Sequence, residues 1–129
     1  MSFAIFNIAW VALYLIAGFQ LLLRPEQVLQ QFGMSLLPER IYLLIIMGMA
    51  LVSMALFLHL NRDTAPGQRG QKNMLLMNCI YNLINMPILS MAVLSGFINF
   101  YGWIAVILHA LLAVSFGYFA FKAETQAMA

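Results

Sequence analysis

From Asn73 to Phe121 the chain runs for 49 residues without an Asp, Glu, Lys or Arg. Two shorter charge-free stretches, 1–23 and 41–61, precede it. A helix needs about 20 mostly apolar residues to cross roughly 30 Å of hydrocarbon, and all three stretches meet that length. The longest cannot be one span, because as a single helix it would measure about 73 Å at 1.5 Å per residue. It must turn back on itself. Its midpoint, Phe97, lies inside Ser95-Gly96-Phe97-Ile98-Asn99, where Ser, Gly and Asn are turn formers. The pattern therefore predicts four spans, at about 3–23, 41–60, 74–95 and 98–121. That is an all-α integral membrane four-helix bundle, a single domain over 1–129.

Composition agrees with this reading. Apolar residues make up 64% of the chain and charged residues 8%, against about 45–50% and about 25% in a soluble domain. A soluble globular fold is excluded. The net charge of +2 is too small for a nucleic-acid footprint, which needs clustered Lys and Arg. The one cysteine, Cys79, excludes an internal disulfide, a CxxC pair and a four-cysteine metal site. The first apolar segment has no basic residue before it and no small-x-small cleavage pattern at its end, so it is expected to be a retained span.

Orientation follows from Lys and Arg in the short loops. The side holding both termini and the 61–73 loop carries Arg62, Arg69, Lys72 and Lys122, and the opposite side carries Arg24 and Arg40. Both termini are expected in the cytoplasm. The 61–73 loop, NRDTAPGQRGQKN, has no phosphate-cradling pattern and reads as a connector touching anionic headgroups. In the 24–40 loop, Pro25 suits a first helical position, Glu26 the helix N-terminus and Gly33 a C-terminal cap. Val28, Leu29 and Phe32 share one face, so 25–33 is expected to be a short amphipathic segment at the interface. It is either a connector held at the interface, or a lid over a cavity mouth or a docking edge for a partner.

Polar residues inside the spans are costly and usually face inward. In the third span Asn78, Asn82 and Asn85, spaced i, i+4, i+7, share one face with Tyr81 beside them. Pro87 removes a backbone donor near the Leu83 carbonyl and should kink the helix. In the fourth span His109 shares a face with Ala105, Ala113, Phe116 and Ala120. A tight turn at Phe97 would put Asn85 and His109 at one depth, which makes Asn82 or Asn85 the expected hydrogen-bond partner of the imidazole. Asn78, Tyr81, Asn82, Asn85 and His109 are thus the candidate ligand-binding residues. They form either a polar clamp between helices or the floor of a site for a polar ligand, a quinone headgroup or a proton. In the first span Asn7, Trp10, Tyr14, Ala17 and Leu21 form a packing face. Phe97, Phe100, Tyr101 and Trp103 read as an aromatic belt at the outer end of the fourth span, and Tyr118, Phe119 and Phe121 at its inner end.

No catalytic residue and no metal ligand is predicted. His59 and His109 differ in depth by about 15 Å at 1.5 Å per residue, too far to share a heme iron. A His/Met heme stays open, as does copper(I) on the Met74, Met77 and Cys79 donors, but no cofactor is called for. The order of a span, Arg24-Pro25-Glu26, Phe32-Gly33, then Arg40 opening a span with Gly48 and a polar loop, resembles the small DoxX-like bacterial inner-membrane proteins. The resemblance implies a four-helix membrane fold in a bacterial cytoplasmic membrane, with oxidoreductase partners for some members. It carries over no catalytic residue. The expected function is a non-enzymatic accessory or structural subunit, in contact with lipid and packing against a membrane partner or its own copy. The alternative is a small-molecule, quinone or heme binding or transport bundle using the Asn/His interior.

Overall fold

A computed structural model describes residues 3–61 and 69–127, all of whose regular structure is helical. The helices are α1 (Phe3–Leu23), α2 (Pro25–Gln31), α3 (Pro38–Leu60), α4 (Arg69–Leu94) and α5 (Gly102–Ala127). Ile5–Leu23, Pro38–Leu60, Gly70–Leu94 and Gly102–Lys122 are long and apolar enough to cross a membrane. The chain is a multi-pass membrane protein. It divides into two compact units, Met1–Asp63 and Thr64–Ala129; the first is built on α1 and α3, the second on α4 and α5.

In the first unit α1 runs into α2 with only Arg24 between them. Pro25 opens α2 where its missing N–H costs nothing, and Glu26 lies in the first turn. Gly33, at φ 70°, ends it: the Gly33 amide donates to the Gln30 carbonyl at 3.0 Å and the Met34 amide to the Leu29 carbonyl at 2.8 Å. Those two bonds are a Schellman cap, and the left-handed position favours glycine. Leu29 is buried while Gln27, Gln30 and Gln31 are exposed, as the amphipathic reading of 25–33 expects.

Helices α1 and α3 cross at a glycine pair. A Cβ on Gly48 would lie 2.8 Å from the Gly18 carbonyl oxygen, and one on Gly18 would lie 3.0 Å from the Gly48 oxygen. Two backbones meet there with no room for a side chain. Close approach of this kind supplies the van der Waals contact that holds helices together where lipid is as apolar as the core. Away from the crossing, Phe6, Tyr14, Ala55 and Leu58 are buried. Asn7 is 5% exposed, and its Nδ2 donates to the Leu58 carbonyl at 3.3 Å. The Asn7–Tyr14 packing face therefore sits against α3.

In the second unit α4 and α5 are joined by residues 95–101. The turn falls where the sequence places it but is longer than the tight reversal expected. Gly96, at φ 73°, terminates α4. The Asn99 side chain then accepts the Tyr101 amide at 3.0 Å, holding a turn of its own before Gly102 starts α5. Phe97, Phe100 and Tyr101 consequently lie exposed in the connection and not on the helix, while Trp103 is helical and half-buried. Pro87 lies inside α4, which stays helical to Leu94.

Candidate functional site

The Asn face of α4 is where the sequence puts it. Asn78 is 2% exposed and Asn82 is fully buried; Asn85 is half-buried, and Tyr81 is 38% exposed at the edge. The facing side of α5 presents Gly102, Val106, Ala113, Phe116 and Ala120, all buried, with His109 half-buried among them. An amide facing hydrocarbon would cost several kcal/mol if unsatisfied, and that cost selects this rotation of α4.

Each of the three amides has a main-chain partner within α4. Asn78 Nδ2 donates to the Met74 carbonyl at 2.9 Å, Asn82 Nδ2 to the Asn78 carbonyl at 2.7 Å and Asn85 Nδ2 to the Tyr81 carbonyl at 2.8 Å. Ser90 continues the series onto the Met86 carbonyl at 2.8 Å. On α5, His109 Nδ1 lies 2.8 Å from the Ala105 carbonyl. The imidazole–amide hydrogen bond expected from the register is therefore corrected: each group bonds to the main chain four residues back. The cause is geometric. A helical side chain leans toward the preceding turn, so a short polar one finds the i−4 carbonyl before it finds a neighbouring helix.

What meets His109 is the ring of Tyr81, with centroids 6.4 Å apart and planes inclined at 39°. One hydrogen bond between the two helices comes from Cys79, which the sequence offers only as a soft donor. Cys79 Sγ donates to the Ala113 carbonyl at 3.3 Å, and a Cβ on Gly117 would stand 3.5 Å from it. The thiol lies over the notch left by two small residues one turn apart. That spacing, with Cys79 one position beyond Asn78, is the signal that could have found it.

Of the soft donors, Met74 is buried, Met77 is 66% exposed and Cys79 is turned to Ala113. Among the described residues no group of three His, Cys, Asp or Glu could hold a metal ion. Searches of family models, curated proteins and solved structures return no match to this chain.

Proposed function

We propose that the protein is a non-enzymatic accessory or structural subunit that packs against another membrane protein. The proposed setting is a bacterial cytoplasmic membrane, with both termini in the cytoplasm. One observation carries the reading. Asn78, Cys79, Asn82, Asn85 and His109 each have a main-chain carbonyl partner within α4 or α5, which supports a role in fastening those two helices. Large apolar side chains face outward on every span, among them Ile46, Ile88 and Ile104. The sequence order around Arg24-Pro25-Glu26 and Phe32-Gly33, which resembles DoxX-like inner-membrane proteins, supports the same setting.

A photo-crosslinking residue placed in turn at Ile46, Ile88 and Ile104 tests the proposal in native membranes. An adduct to a different polypeptide from one of these faces, with lipid adducts from the others, is expected. Lipid adducts at all three positions would refute the accessory role. Adducts only to a second copy of this chain would refute it in favour of a homo-oligomer.

A further inference from the structure

Between the last turns of α1 and the α2 segment lies an open cleft of about 350 Å³. Ile16, Phe19, Gln20 and Leu23 line it from α1. Their spacing of i, i+3, i+4, i+7 is one helical face. Arg24, Gln27, Val28 and Gln31 line it from α2 and its N-cap, again at i, i+3, i+4, i+7. One wall is mostly apolar and belongs to a membrane span. The other is mostly polar, with a cation at the corner where the helices meet.

We propose that this cleft binds an anionic phospholipid. Arg24 would hold the phosphate, the glutamine side chains the rest of the headgroup, and Ile16, Phe19 and Leu23 the start of an acyl chain. The polarity gradient within the cleft matches that of a lipid: charge at the α1–α2 corner, then apolar surface running back along the span. From Leu23 to Ile16 that surface extends about 10 Å at 1.5 Å per residue, so the remainder of the tail stays in the bilayer. Charge selects the headgroup class. Arg24 is exposed and forms no ion pair with any described residue. The carboxylate of Glu26 is not part of the lining. Arginine presents a planar fork of donors suited to phosphate. The volume is near the lower end of the roughly 300–1,000 Å³ of small-molecule sites, which suits a headgroup and part of one chain.

The full chain, delipidated in detergent, would be titrated separately with phosphatidylglycerol and phosphatidylcholine and weighed by native mass spectrometry. We expect one phosphatidylglycerol to be retained with about fivefold preference, the size of one surface cation's contribution. Arg24→Gln should abolish the preference. Gln27→Trp, at an exposed position of the lining, should fill the cleft and release the bound lipid whatever its headgroup. Arg40→Gln, a cation of the same unit that is not in the lining, should leave both unchanged. Equal effects of Arg24→Gln and Arg40→Gln would reduce the binding to general attraction and overturn the proposal. So would equal retention of the two lipids, or retention that survives Gln27→Trp. Displacement of the lipid by inorganic phosphate alone would give the site to a soluble anion. A change in protein oligomer mass on Gln27→Trp, with lipid count unchanged, would give the cleft to a second copy.

Discussion

Replacing Gly48 by alanine tests the α1–α3 crossing directly. The new Cβ would stand 2.8 Å from the Gly18 carbonyl oxygen, 2.9 Å from Leu22 Cγ and 3.0 Å from Leu21 Cβ. Ordinary carbon contacts lie at about 3.5–4.0 Å, so the helices must separate locally by roughly 1 Å. The oxygen is backbone and cannot rotate away. Overpacking of this kind costs about 1–3 kcal/mol, partly offset by the ~0.5–1 kcal/mol that alanine gains over glycine inside a helix. Gly117→Ala is the matched control. It has the same propensity gain, but its Cβ meets only Cys79 Sγ at an ordinary 3.5 Å. The difference between the two variants therefore isolates the crossing, at about 1–3 kcal/mol. Unfolding by SDS titration in mixed micelles, followed by far-UV circular dichroism, measures it. The chain has two tryptophans, so a Trp103→Phe background leaves Trp10 on α1 as a fluorescent reporter of the first unit alone. Gly18→Ala should behave like Gly48→Ala. The double variant should lose less than the sum, since both methyl groups act on one helix separation. Equal stability of Gly48→Ala and Gly117→Ala would refute the close approach.

Two further outcomes follow from the geometry and charge. Asn85 and His109 donate to carbonyls of their own helices, so Asn85→Leu and His109→Leu should destabilise additively, with a coupling below about 0.5 kcal/mol in the same titration; a larger coupling would restore a direct bond between them. Reporters fused after Ala129 and inserted at Gly67 should both read cytoplasm and one at Ser35 the opposite side, and different readings for Ala129 and Gly67 would break the four-span topology.

The spans were legible because charge is so unevenly distributed. Their ends were less so, for reasons that differ from end to end. Helix α3 starts at Pro38 and not at 41 because Pro38 and Glu39 open a helix just as Pro25 and Glu26 open α2, and a charge-free window discards that signal. Helix α4 starts at Arg69, because Arg, Gln and Lys are good helix formers that a hydrophobic criterion passes over. Helix α5 starts at Gly102 because Asn99 holds a turn of its own beyond the Gly96 terminus. The Gly18–Gly48 crossing was not legible at all. Each glycine is visible in the sequence, but which residue faces which across two helices depends on rotation and register that no local pattern states.

The candidate site divides along the same line. The buried face of α4 was readable, since i, i+4, i+7 spacing places three amides together and hydrocarbon drives them inward. Their partners were not, because two satisfactory answers compete within a few ångströms. A bond to another helix would join the spans, whereas a bond to the carbonyl four residues back needs only the side chain's default lean. The second wins at Asn78, Asn82, Asn85 and His109. Packing, the Tyr81–His109 ring contact and Cys79 on Ala113 tie α4 to α5. A polar residue in a span can thus be inward-facing for the sake of its own helix. Depth matching between Asn85 and His109 was therefore no guide to contact between them.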